Sequence, residues 1–293
     1  MRRDPIKSAA RTLEILELFH ERRTPLRLTD IFEKLSYPQS STTALLKSMV
    51  VLGYLNYDRV GRTYFPTPKV AALGDWVNHH LFGTGELLRL MAAVFEQTDE
   101  TVVISAQNDI FIQHVRVLQP AHAFKLPPTE GSMRLLTHSA AGLVLMSQMA
   151  PKAVDKLCRH INAHETDRTK RVDLDELVEQ LQWIRREGYS LLAGFPLPEA
   201  AAIAIPLPRS AHGAPLTLGV GGLNSRIARS RSDILRTMRQ AVAAYEGKLR
   251  ADPDQGVALD EQDLHPADYP LNASPASPNA LHPPSTLTVE PVM

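Results

Sequence analysis

The sequence predicts an α+β chain: an N-terminal winged helix-turn-helix, a helical connector, and a larger mixed domain built on an antiparallel sheet. Three observations predict it. The hydrophobic period switches from 3.6 to 2 just after Gly53. Beyond residue 101, strand-like and helical runs follow one another in mixed order. Charge is also segregated. Formal net charge is zero over 293 residues, yet residues 1–74 hold 12 Lys or Arg against 7 Asp or Glu, and residues 75–250 hold 20 against 18. Residues 251–293 hold 7 acids and no Lys or Arg. A basic block at one end points to a polyanionic partner there.

Each element has its own signal. Ser8 is placed to cap a first helix, in which Ala9, Leu13, Leu16 and Phe19 recur at helical spacing, with Thr12 and Ile15 beside them. "RRTPLRL" reads as a loop. Thr29 is placed to cap a short second helix, "DIFEKL", with Ile31, Phe32 and Leu35 inward. "SYP" makes a tight turn, and Pro38 suits the first position of a third helix. That helix runs to about Val51 or Leu52, where Gly53 stops it. "YLNYD" and "RTYFP" then read as two strands joined by a turn at Arg59 to Gly61. Residues 6–74 form the expected DNA-binding domain. Pro68 opens a further helix, and a linker helix is expected over 75–98.

The expected second domain spans residues 99–250. "TVVISAQ" and "IFIQHVRV" flank Asn108-Asp109, a hairpin signal. "THSAAGLVLMSQM" is helical, with Thr137 as its candidate cap. "PKAVDKLCRHIN" and "VDLDELVEQLQWIRREG" are amphipathic helices, the second ended by Gly188. "AAIAIPLP" and "PLTLGVGGL" read as buried strands, and "SRSDILRTMRQAVAAYEGKLR" as the last helix. Residues 251–293 contain 8 of the 22 prolines and no periodic apolar face, so a disordered, acidic, Pro-rich tail is expected. Cys158 is the single cysteine, which fits a reducing compartment. The N-terminus lacks the apolar core of a secretory signal, and no apolar run reaches membrane-spanning length. A cytoplasmic protein with no membrane partner is expected.

The third helix carries the functional pattern. Leu45, Leu46, Met49 and Leu52 form its inward face, while Ser40, Thr43, Ala44 and Lys47 lie opposite at i, i+3, i+4 and i+7. In a helix-turn-helix the N-terminal part of this helix enters the major groove of double-stranded DNA. Gln39, Ser40, Ser41 and Thr43 offer hydrogen bonds to base edges or phosphates. Arg59, Arg62 and Tyr64 on the hairpin are candidate contacts to phosphates or a minor groove.

These segments resemble the IclR family of bacterial transcription regulators. The resemblance is carried by "KSAARTLEILELF" and "LRLTDIFEKLSYPQSSTTALLKSMVVLGYL" in the first domain. In the second it is carried by "TDETVVISAQNDIFIQHVRV", "EGSMRLLTHSAAGLVLMS", "IRREGYSLLAGFPLPEAAAIAIPL" and "LTLGVGGLNSRI". It covers residues 6–250. It implies a GAF-like effector-binding domain, a small-molecule effector, and assembly as a homodimer or tetramer. By resemblance the effector cavity is lined by Gly131, Met133, Leu135, Ala140, Ala141, Ala202 and Gly221. Candidate polar anchors are Arg134, His138, Ser139 and Asn224. The sequence departs from the family pattern at Ser36 (Gly in the family), Gln39 (often Lys), Ala44 (often Arg) and Ala202 (often Cys).

Two further patterns in the sequence carry no site. His160 and His164 stand four apart near Cys158, but no third ligand is well placed, so no metal is expected. "GVGG" at 219–222 is no dinucleotide fingerprint, and no cofactor is expected. The alternative function is a small-molecule-metabolising enzyme with an N-terminal interaction domain. It needs a catalytic constellation that residues 99–250 do not offer.

Overall fold

The computed structural model describes residues 5–82, 85–121, 128–168, 171–195, 197–208 and 215–251; the expected disordered tail lies outside them, apart from Ala251. The first domain contains α1 (Lys7–Arg22), β1 (Leu26–Arg27), α2 (Leu28–Leu35), α3 (Gln39–Val51), β2 (Leu55–Asp58) and β3 (Thr63–Pro66). β3 is the centre of a small antiparallel sheet in the order β1-β3-β2. Its core joins Ile15, Leu18 and Phe19 of α1, Ile31 of α2, Leu46 and Met49 of α3, Leu55 and Tyr64.

Several sequence expectations shift here. The inward face of α1 is Ile15, Leu18 and Phe19, and Leu13 is exposed. Apolar residues cover more than one stripe of this helix, so spacing alone could not choose among them. Ser8 lies inside α1 behind Ile6, and Thr29 lies inside α2. α2 starts earlier because the Asp30 carboxylate accepts the Arg27 N–H at 2.8 Å, satisfying an orphan donor at the helix start. Pro38 sits just before α3, and Leu52 just after it is exposed.

The connector is not one helix over 75–98. It is α4 (Pro68–Phe82) and α5 (Glu86–Thr98), separated around Gly85, whose φ of 71° lies in the left-handed region that glycine adopts without strain. α5 then joins the second domain through buried Leu87, Leu90, Met91 and Val94.

That domain is built on one antiparallel sheet in the order β6-β5-β4-β9-β8-β7. The strands are β4 (Thr101–Asn108), β5 (Phe111–Leu118), β6 (Met133–Leu135), β7 (Ser190–Ala193), β8 (Ala200–Pro206) and β9 (Leu216–Leu223). α6 (Ala140–Ser147), α7 (Pro151–His164) and α8 (Leu174–Glu187) share a core on one face, and α9 (Asn224–Ala251) packs with α5 on the other. Both faces are covered, so the central strands alternate between two kinds of apolar residue. Val102, Ile104, Ile203, Leu218 and Val220 point toward α5 and α9. Ser139, not Thr137, precedes α6, because Leu136–His138 form a 3-10 turn. α9 begins at Asn224, six residues earlier than expected.

The start of α9 is fixed by a bidentate ion pair. Arg226 donates through Nε to Glu100 Oε1 at 2.6 Å and through an Nη to Oε2 at 2.8 Å. Gly222 makes room for that carboxylate, since a Cβ there would lie 2.3 Å from Oε2.

Candidate functional site

Two surfaces gather the candidate residues. The first is the exposed side of α3 with the hairpin beside it. Gln39, Ser40, Ala44 and Lys47 are exposed, and Ser41 and Thr43 are half-buried. The hydroxyls of Ser41 and Thr43 donate to the carbonyls of Pro38 and Gln39 at 2.9 and 2.8 Å. Thr43 keeps its lone pairs, and Ser41 one of its two, for an outside donor. Thr42 is fully buried, its hydroxyl donating to the Pro38 carbonyl at 3.1 Å. Ser41 also accepts from Arg11 at 3.3 Å, and the Arg11 guanidinium lies over the Tyr37 ring.

The hairpin tip is fixed from within. The Asp58 carboxylate accepts the Val60 N–H at 2.9 Å and the Gly61 N–H at 3.0 Å. A Cβ at Gly61 would come within 2.7 Å of Asp58 Oδ2, so any larger residue there would push the Asp58 carboxylate out of this position. Arg59 and Arg62 project from this tip, both exposed. Tyr64 does not join them. Strand alternation turns it into the core beside Leu26, opposite Tyr57, and burial pushes its phenol pKa up. Its expected place on the DNA surface is corrected accordingly.

The second surface is a cavity of about 130 Å³ between the sheet and the start of α6. The strand alternation described above creates it. Residues facing away from α5 and α9 are Ala200, Ala202 and Ala204 on β8, and Gly219 and Gly221 on β9, so the floor has almost no side chains. A Cβ added at Gly221 would still find only ordinary contacts, 3.6 Å from the Ala201 carbonyl oxygen. Thr101, Val103 and Ser105 of β4 extend the floor.

The polar groups gather at one wall. Arg134, His138 and Ser139 line the cavity, as do Ala140, Ala141 and Ala202. Burial holds the Arg134 guanidinium pKa below its usual value. Among the described residues, Arg134 has no ion pair and the lining contains no Asp or Glu. His114 is buried beside it. Desolvation, and then the charge of Arg134, pull its pKa down to about 4, and its Nδ1 lies 3.0 Å from Ser105 Oγ. Buried Ser139 precedes α6, whose first N–H groups carry the positive end of the helix dipole toward the same corner. The His138 and Phe195 rings meet at 5.0 Å on the rim.

Four expected lining residues lie outside the cavity. Alternation along β6 brings Arg134 inward and turns Met133 out, 51% exposed. Leu135 packs against the α6–α8 core. Gly131 makes a turn at φ 80° before β6. Asn224 opens α9 with its N–H on the Glu199 carbonyl. His114 and Ser105 were missed by sequence reasoning. A histidine at an inward position of β5, two residues from Ile112, was the available signal. Among the described residues no group of three His, Cys, Asp or Glu is placed to hold a metal ion, and no helix is long and apolar enough to cross a membrane.

Comparison with known proteins decides the family. The IclR helix-turn-helix domain model matches residues 8–59, and the model of the bacterial transcriptional regulator IclR C-terminal domain matches residues 85–245. The chain belongs to the IclR family. It is 25% identical over 199 residues to the transcriptional repressor IclR of Escherichia coli, covering 63% of this chain and 68% of that one. The effector domain of an IclR regulator from Acinetobacter sp. ADP1 superposes with a TM-score of 0.53 at 28% identity, covering 57% of this chain and 98% of that one. An IclR homolog from Microbacterium hydrocarbonoxydans, solved with 4-hydroxybenzoate, gives a TM-score of 0.65 at 21% identity, covering 83% of this chain and 99% of that one. The IclR-family match makes this chain a DNA-binding, effector-responsive transcriptional regulator rather than an enzyme.

Proposed function

We propose that the cavity binds a small organic anion, a carboxylate on a compact apolar body, and that its occupancy changes the affinity of the first domain for its operator. The observation that carries this reading is Arg134, which among the described residues has no ion pair and stands beside His138 and Ser139 in a cavity whose described lining contains no Asp or Glu. The start of α6 and Ser139 add donors at that wall. The Ala and Gly floor leaves room for a flat apolar body. The Microbacterium relative holds a ligand of this kind, a carboxylate on a benzene ring. Residues 6–74 bind DNA, residues 75–98 connect, and residues 99–250 sense the effector. Gln39, Ser40, Ser41, Thr43 and Ala44 face the bases, and Lys47, Arg59 and Arg62 face phosphates. The protein works in the cytoplasm as a homodimer or tetramer on a two-fold symmetric site.

The test uses calorimetry with matched pairs of aryl or short-chain carboxylates and their amides. A carboxylate is expected to bind and its amide to bind at least about 10-fold more weakly, the loss of one charge-assisted pairing. Arg134→Ala is expected to remove that preference. Equal binding of acid and amide to the native protein would sink the reading.

A further inference from the structure

The last helix delivers the acidic tail to the junction between the two domains. Near the C-terminal end of α9, Lys248 Nζ lies 2.7 Å from Glu86 Oε2. Glu86 is the first residue of α5, and α4 ends at Phe82 just before it. The tail therefore leaves the second domain where the chain from the first domain arrives. α4 has 15 residues, so the DNA-binding domain begins about 22 Å away along that helix. The tail carries seven acids without one Lys or Arg, and the first 74 residues carry a net charge of +5. The tail has 42 residues after Ala251, and at about 3.3 Å per residue its contour length exceeds that distance several times over.

The available cations point to where such a chain would bind. On α9, Arg226 is held by Glu100, Arg236 by Asp233 and Arg239 by the Glu187 carbonyl, while Arg229 and Arg231 are exposed near the end of the helix away from the tail. On the DNA face, Lys47, Arg59 and Arg62 are exposed and have no ion pair among the described residues. A tethered segment of this length is present at its target at millimolar effective concentration. Non-specific DNA binding is electrostatic and only moderately tight, so a tethered polyanion competes with it.

We propose that residues 252–293 act as an intramolecular polyanion that occupies the Lys47, Arg59 and Arg62 face whenever DNA does not. Competition for one face lowers the affinity for every duplex by a common factor. The factor is largest at low salt, because both complexes are ionic. The proposal rests on the DNA face assigned above.

The experiment compares three proteins by fluorescence anisotropy on a random-sequence duplex. They are the full chain, a chain ending at Ala251, and a full-length variant with all seven tail carboxylates changed to amides. Both altered proteins are expected to bind about 3- to 10-fold tighter at roughly 50 mM salt, with the gain lost by about 300 mM. Lys47→Ala with Arg62→Ala is expected to weaken the shortened chain directly, which tests the DNA face whatever the tail does. In the full-length background the same pair should shrink the gain from neutralising the tail. The proposal fails if the amide variant binds like the full chain, which would place the tail on another surface such as Arg229 and Arg231. It also fails if only the shortened chain gains affinity, which would make the effect one of bulk rather than charge.

Discussion

His114 is held as a neutral imidazole, and this makes folding pH-dependent. Burial comes first and Arg134 second in lowering its pKa to about 4, against about 6.5 for the unfolded chain. The unfolded state therefore binds more protons between these values. The stability this residue supplies is complete above about pH 6.5 and is lost as pH falls toward 4. From pH 7.5 to 5.0 the loss is about 2 kcal/mol, and it should be largely absent in His114→Gln. Denaturant titrations at both pH values measure it, and equal losses in the two proteins would assign the effect elsewhere. Ser36 offers a second test at this scale. It holds a left-handed conformation at φ 55° in the turn before α3. Ser36→Gly relieves that strain, partly offset by greater freedom in the unfolded chain, for a net gain of about 0.5–1 kcal/mol. A loss of stability would show that the serine makes a compensating contact.

At the scale of the element, α3 separates two kinds of contact. Lys47→Ala on α3 and Arg62→Ala on the wing are each expected to weaken binding to all duplexes and to lower the salt slope by roughly one unit. Gln39→Ala and Thr43→Ala are expected to cost about 1–3 kcal/mol on the operator and little on scrambled DNA, because only base contacts discriminate. Anisotropy across a salt series checks both, and equal effects of Gln39→Ala on the two duplexes would mean that α3 is not the reader. The sequence made α3 legible because Pro38, the hydroxyl run and Gly53 mark its ends. The two buried strands β8 and β9 were legible as apolar runs. Their two-sided role was written there too, in the alternation of Ala with Ile and of Gly with Leu or Val. Other features were not legible. β1 and β6 are too short to show a period. Tyr64 and the outward-turned Met133 depend on strand phase, which a one-residue change in register inverts. Ser105 and His114 lie nine residues apart, and only the β4–β5 pairing brings them together.

For the whole molecule, the cores are separate. The first uses residues between Ile15 and Tyr64, and the other two use residues from Phe82 onward. Scanning calorimetry should show two transitions. A saturating carboxylate at about 100 times its dissociation constant should stabilise mainly the second, by about 2.7 kcal/mol. A single transition that shifts as a unit would show the domains to be thermodynamically fused. The layout of the second domain has a further consequence. The cavity opens on one side of the sheet, while α5, the helix that receives the chain from the DNA-binding domain, packs on the other. A message from effector to operator has to pass through the thickness of a wall one strand deep. Val102, Ile104 and Leu218 stand behind the cavity floor without lining it. In a genetic screen, conservative changes at these positions are the place to find deaf alleles: proteins that bind effector and operator with ordinary strength, yet no longer let one alter the other.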